Sequence, residues 1–313
     1  MPAAAAKPYP SIAYLRQLAT YALSHTGPSG TTIGLILLPL LISSPFSLRA
    51  RYYLRMIAFV FGLAVGSVTG VVAGIGVSII QPSWRKNIQW LVARTFYNLV
   101  SPLIGWDFVV EGEEFLEPCY RGESHVLVGN HQSMIDIFYL GRIFPKTCVV
   151  MAKKELKYAP LLGQYMSLSR AVFVDRHNRS TAMETFKKVG VDMKAHGLNL
   201  FVFPEGTRSN AKSPMLLPFK KGAFHLALQA GLPVTPIICE IYSPIYSSRE
   251  HRFEPGKLTL KVLKPIQTVG VDAYTGKEGV DRLCEEVRGR MLEGLVELSQ
   301  RDGSVSSRTI QAF

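Results

Sequence analysis

Acidic residues are scarce in this chain. Its 313 residues hold 23 Asp and Glu against 35 Lys and Arg, a formal net charge of +12. An excess of that sign fits anionic partners: nucleic acid, an anionic membrane surface or anionic small substrates. No basic run interleaved with aromatics, zinc-finger spacing or RNA-binding signature accompanies the charge, which ranks nucleic acid last. Cysteine is equally sparse, at Cys119, Cys148, Cys239 and Cys284. Their wide spacing provides no metal-type pairing and fits ordinary buried thiols in a reducing compartment. There is no internal repeat, and no Gly-x-Ser-x-Gly elbow that would mark a serine nucleophile.

Charge of either sign is missing altogether from Ile57 to Ile80. The apolar fraction is 48% and the mean hydropathy +0.17, and the excess lies in the first third. A stretch of that length can cross the hydrocarbon core, which needs roughly 20 residues. Gly62, Gly66, Gly70 and Gly74 recur every fourth position, which lets a second helix approach closely. An earlier apolar run, 31–46, is interrupted by Pro39 and Pro45 and is open to reading as a span, a re-entrant piece or an interfacial helix. It begins too far from Met1 for a cleaved signal peptide. Arg49, Arg51 and Arg55 precede the second run, and Arg85, Lys86 and Arg94 follow it. Basic residues on both sides leave the topology open.

From about Trp90 the pattern changes to short apolar runs alternating with helical stretches. Strands are expected at Asp107 to Gly112, Ser124 to Gly129, Thr147 to Ala152, Ala171 to Asp175, Leu198 to Phe203, Pro233 to Glu240 and Lys257 to Leu263. Helical spacing marks Ser180 to His196, Lys221 to Ala230 and Gly279 to Gln300. Such alternation predicts an α/β domain around a mostly buried sheet flanked by helices. The expected organisation is a membrane-associated helical region over 1–95, a catalytic domain over 96–300 and a polar tail over 301–313.

Two strand exits carry the chemistry. Val126 to Gly129 leads into Asn130-His131-Gln132-Ser133-Met134-Ile135-Asp136. In one continuous helix, residues five apart point about 140° away from each other. His131 must therefore lie on the turn before the helix if Asp136 is to reach it. An aspartate on one ring nitrogen sets the tautomer and stabilises the imidazolium, leaving the other nitrogen to take a proton from a hydroxyl. The plainer alternative is a satisfied histidine beside a first-turn carboxylate.

Leu200 to Phe203 leads into Pro204-Glu205-Gly206-Thr207-Arg208-Ser209. Gly206 permits a turn whose N–H groups face an anion, Thr207 adds a hydroxyl, and Arg208 adds a forked guanidinium suited to phosphate. Glu205 is read as an acceptor for a glycerol hydroxyl or as a brace for Arg208. Arg176, ending another strand, is a second phosphate candidate, and Lys220-Lys221 adds positive potential. No cluster of metal ligands is visible, so no metal is expected in the chemistry.

Taken together, these blocks resemble the 1-acyl-sn-glycerol-3-phosphate acyltransferase (lysophosphatidic acid acyltransferase) family, and the wider wording, including Leu140 to Pro145 and Phe219 to Ala223, resembles fungal members. The resemblance covers about Leu91 to Leu263. It rests on four blocks in order: Asn130 to Asp136, Gly163 to Arg176, Phe203 to Ser209 and Val234 to Ile237. One departure is Arg170, where many relatives keep a glycine.

The resemblance implies transfer of an acyl group from acyl-CoA to the sn-2 hydroxyl of lysophosphatidic acid. It implies His131 as general base, Asp136 as its orienting partner, and Glu205, Gly206, Thr207 and Arg208 at the acceptor headgroup with help from Arg176. Pro236 would shape a pocket. No resident cofactor is implied, acyl-CoA being a co-substrate. The implied setting is the endoplasmic reticulum membrane with a cytosolic catalytic face. Competing readings are a sibling enzyme acting on another lysophospholipid or glycerol 3-phosphate, and a non-catalytic lipid-binding membrane protein.

Overall fold

A computed structural model describes residues 47–175, 179–275 and 278–301. The expected run 31–46, Arg176 and the polar tail lie outside the described residues, apart from Arg301 at the end of a helix.

The strands, in chain order, are β1 Trp106–Glu111, β2 Val126–Gly129, β3 Cys148–Lys153, β4 Val172–Val174, β5 Asn199–Val202, β6 Val234–Cys239, a short pair β7 Tyr246–Ser247 and β8 Arg252–Phe253, and β9 Gly256–Val262. Seven of them form one sheet in the order β1-β9-β6-β2-β5-β3-β4. All neighbours run parallel except β6 and β9, which are antiparallel. These seven correspond to the seven strands expected from the sequence. β2, β5 and β6 are buried at every position, which is why they read as continuous apolar runs: both faces of a parallel sheet are covered.

The principal helices are α1 Leu48–Ile80, α2 Ile88–Ile104, α3 Ile137–Ile143, α4 Leu162–Leu168, α5 Arg179–His196, α6 Gly222–Ala230 and α7 Gly279–Arg301. Phe186 and Met193 of α5, Phe224 of α6, and Leu283, Met291 and Leu295 of α7 pack with Val126, Val128 and Leu200 of the sheet in one core. A second cluster joins Ile88 and Val92 of α2, Tyr165 and Met166 of α4 and Ala152 of β3. The sheet is thus a filled layer between helices. All four cysteines are free and buried.

The chain divides into two compact units, one of Met1–Val60 with Ile245–Pro255, the other of Phe61–Pro244 with Gly256–Phe313. Within the first, Arg51 and Arg55 of α1 form ion pairs with Glu254 at 3.0 and 3.1 Å. Within the second, the glycines of α1 lie at tight contacts. A Cβ on Gly62 would stand 2.0 Å from Val100, one on Gly70 2.7 Å from Val92, and one on Gly74 2.9 Å from Leu168. The close approach expected of this stripe is made to α2 and α4.

α1 has 33 residues, about 50 Å at ~1.5 Å per residue. Among the described residues it is the one helix long and apolar enough to cross a membrane, by length and composition. Phe61, Val72, Ile75, Ile79 and Ile80 are exposed along it.

Candidate active site

β2 and β5 are neighbours in the sheet, with Val126 opposite Leu200 and Val128 opposite Val202. Their C-terminal exits therefore emerge together. Gly129 closes β2 because no side chain fits there: a Cβ would stand 2.6 Å from both Phe201 and the Tyr139 hydroxyl.

The chain then turns through Asn130, His131 and Gln132 before Ser133 caps a short 3-10 turn, Met134–Asp136, that leads into α3. His131 lies before the helix, as the pairing requires. Its Nδ1 is 2.6 Å from Asp136 Oδ2. The same oxygen accepts the N–H groups of Gln132 at 2.8 Å and Ser133 at 3.1 Å. Asp136 Oδ1 accepts the Tyr242 hydroxyl. The carboxylate is 2% exposed and the imidazole 19%, so the ring is reachable while its partner is sealed. The imidazole also stacks on Phe203 at 4.1 Å between ring centroids.

The second turn is stitched to the first. Ser209 N–H donates to His131 C=O at 2.8 Å and Asn210 N–H to Gln132 C=O at 3.0 Å. Gly206 has φ +70°, a left-handed conformation that glycine adopts without the steric cost of a Cβ. Thr207 and Arg208 are exposed.

Glu205 is placed differently from the expected headgroup contact. It is 2% exposed, and its two oxygens accept His131 N–H at 2.7 Å and Leu217 N–H at 3.0 Å. Its carboxylate thus braces the backbone of His131 instead of facing Arg208. Burial raises its pKa, and the two N–H bonds oppose that rise.

A cavity of about 1110 Å³ is lined by His131, Thr207 and Arg208 and by apolar residues such as Val92, Leu140 and Met166. Lys153, at the end of β3, and Lys220 also line it. The Lys220 side chain lies over Gly206, its Cγ 3.3 Å from where a Cβ would be. Lys221 lines the cavity too and pairs with Asp281 at 2.7 Å. The basic pair therefore stands beside the second turn, where its charge favours an anion.

Pro236 does not shape this cavity. It sits in β6 opposite Val128, inside the sheet, where its effect is on the strand. The Arg170 departure has a local cost: its φ of +60° is a backbone region that favours glycine.

Sequence reasoning missed Tyr242, Gln132 and Asn130. Asn130 exchanges hydrogen bonds with Cys239, donating to its C=O and accepting its N–H, both at 2.8 Å. Gln132 donates to the carbonyls of Cys239 at 3.1 Å and Glu240 at 2.7 Å. The signal was a run of polar residues directly after a fully buried strand, which demands buried partners.

A histidine paired with a buried carboxylate and an exposed guanidinium line one cavity together with apolar residues, an arrangement suited to an anionic, partly apolar substrate. Residues 107–240 match the Acyltransferase family. The chain is 40% identical to 1-acyl-sn-glycerol-3-phosphate acyltransferase of Saccharomyces cerevisiae over 250 residues, 80% of this chain and 79% of that one. It is 32% identical to the human 1-acyl-sn-glycerol-3-phosphate acyltransferase alpha over 250 residues, 80% of this chain and 83% of that one. Among solved structures it matches the 1-acyl-sn-glycerophosphate (LPA) acyltransferase PlsC of Thermotoga maritima, with a TM-score of 0.55, 27% identity, and coverage of 78% of this chain and 97% of that one. The chain belongs to the 1-acyl-sn-glycerol-3-phosphate acyltransferase family, as its motifs led us to expect.

Proposed function

We propose that the protein transfers an acyl group from acyl-CoA to the sn-2 hydroxyl of lysophosphatidic acid, giving phosphatidic acid and CoA. The observation that carries this reading is the His131–Asp136 pair at 2.6 Å in the same cavity as Thr207 and Arg208. With Nδ1 engaged by Asp136, Nε2 is the ring nitrogen left to accept the hydroxyl proton. The hydroxyl oxygen then attacks the thioester carbonyl. Collapse of the tetrahedral intermediate expels the CoA thiolate, which takes the proton back from the imidazolium. A thioester is reactive enough that one base and good positioning suffice, so no resident cofactor, metal or acyl-enzyme is required.

Gly206, Thr207 and Arg208 bind the acceptor phosphate, with Lys220 adding charge and Arg176 as a helper. Glu205 serves the same headgroup turn from behind, by holding His131. The family and the apolar face of α1 support membrane residence. We extend this to the endoplasmic reticulum, with the catalytic face toward the cytosol.

The test is CoA release by the purified protein in detergent, given acyl-CoA and a panel of lysophospholipids. Lysophosphatidic acid is expected to be the preferred acceptor. Preference for a different lysophospholipid, or for glycerol 3-phosphate, would refute the acceptor assignment.

A further inference from the structure

Tyr242 lies two residues beyond the segment that matches the Acyltransferase family, which ends at 240. It is 3% exposed, and its hydroxyl donates to Asp136 Oδ1. The other Asp136 oxygen already receives His131 Nδ1 and two backbone N–H groups. Tyr242 is therefore the donor that occupies the second oxygen and stops the carboxylate from rotating about its Cβ–Cγ bond. We propose that Tyr242 is a positioning residue for the acyl-transfer reaction, holding Asp136 so that its other oxygen stays on His131.

The proton order follows from chemistry. A carboxylate can only accept, so the Tyr242 proton points to Asp136. The Ser133 hydroxyl, 2.9 Å from the Tyr242 oxygen, then donates to it. Ser133 Oγ in turn accepts Ile135 N–H at 3.2 Å. The result is a directed chain running from the first turn after His131, through Tyr242, to the carboxylate. Burial, and next the Asp136 charge, push the Tyr242 phenol well above its ordinary range, so it remains a donor at every working pH.

The ring is fixed independently of the hydroxyl. It packs against Trp106 at 5.7 Å between centroids, and Tyr242 N–H reaches Gln132 Oε1 at 3.4 Å. Tyr242→Phe therefore removes one hydrogen bond and leaves the packing. The titratable groups around the pair are His131, Glu205, Tyr139 and Cys239, with Lys153, Arg208 and Lys220 lining the cavity. None of them replaces the lost donor on Oδ1 in the structure.

The inference rests on His131 acting as the base, so the experiment carries its own control. Steady-state kinetics with lysophosphatidic acid and acyl-CoA are measured across pH for wild type, Tyr242→Phe, Asp136→Asn, the double variant and His131→Ala. Tyr242→Phe is expected to lower kcat roughly tenfold with both KM values unchanged, the rate equivalent of one charge-assisted hydrogen bond. Its loss leaves more negative potential at the imidazole, so the acid limb of kcat/KM is expected to move up by roughly half a pH unit.

In the Asp136→Asn background the same change should cost little more, because the group it positions is gone. Ser133→Ala, which removes the donor to the Tyr242 hydroxyl, should give a smaller loss in the same direction. A wild-type kcat, an unmoved acid limb, or a full tenfold loss persisting beside Asp136→Asn would overturn the proposal. A fully active His131→Ala would instead overturn the base assignment itself.

Discussion

At the exit of β2, the side chains of Asn130, Gln132, Ser133 and Asp136 are buried and hydrogen-bonded to neighbouring backbone or side chains. At the exit of β5, one strand over, Thr207 and Arg208 are exposed, and no side-chain hydrogen bond or ion pair holds them among the described residues. On the proposed mechanism the first turn keeps the reacting imidazole in one geometry, since general-base chemistry tolerates little displacement. The second leaves donors unused, which suits the anion binding proposed for it. Glu205 belongs to the second turn by sequence and to the first by contact, because its carboxylate holds the His131 backbone.

Breaking the two turns should therefore give different kinetics. The largest effect is expected from His131→Ala, which should lower kcat on the order of 10²–10⁴-fold and leave acceptor KM nearly unchanged. Arg208→Ala should do the reverse, raising KM for lysophosphatidic acid roughly ten- to hundredfold with kcat close to wild type. Steady-state kinetics in detergent read both, and an unchanged KM would remove Arg208 from the headgroup site. Glu205→Gln sharpens the border between the turns. Its amide can accept only one of the two N–H bonds cleanly, leaving the other donor facing an NH₂ group. A stability loss of about 1–3 kcal/mol is expected, measured as a lower thermal midpoint, together with a fall in kcat and little change in KM.

The smallest effect contrasts the two ends of β2. His125, just before the strand, is 3% exposed and bonded to Thr235 at 2.8 Å. Burial lowers its pKa from 6.5. The depressed folded-state value means its stabilising contribution is fully present above pH 6.5 and is lost as pH falls from there toward the folded-state pKa. The thermal midpoint should decline over that acid window, and His125→Gln should flatten the decline without touching kcat at neutral pH.

Much of this was legible because the signals are local. A strand covered on both faces must be apolar throughout, so β2, β5 and β6 announced themselves as short Val, Ile, Leu and Phe runs. Helices α5 and α6 showed helical spacing, and α7 a long amphipathic pattern. The separation of His131 from Asp136 required a turn before the helix, and Ser133 supplies its cap. The short helices α3 and α4 were not delimited, because seven residues are too few for a clear period. The β7–β8 pair escaped for the same reason. Glu205 was misjudged because a glutamate beside Gly-Thr-Arg looks like a ligand group, and nothing nearby in the chain reveals that the N–H groups of His131 and Leu217 will converge on it.

The sequence by itself determined the element types, the two strand exits and the residue kinds standing at them, because periodicity, capping and turn chemistry act over a few neighbouring residues. Only the tertiary structure decided that β2 and β5 lie side by side, that Ser209 and Asn210 bond back to the His131 turn, and that Tyr242, three residues after β6, reaches Asp136. The physical reason is range. Buried polar atoms must find partners wherever the packed sheet brings them, and those partners, 106 residues apart for Tyr242 and Asp136, leave no mark on the local pattern.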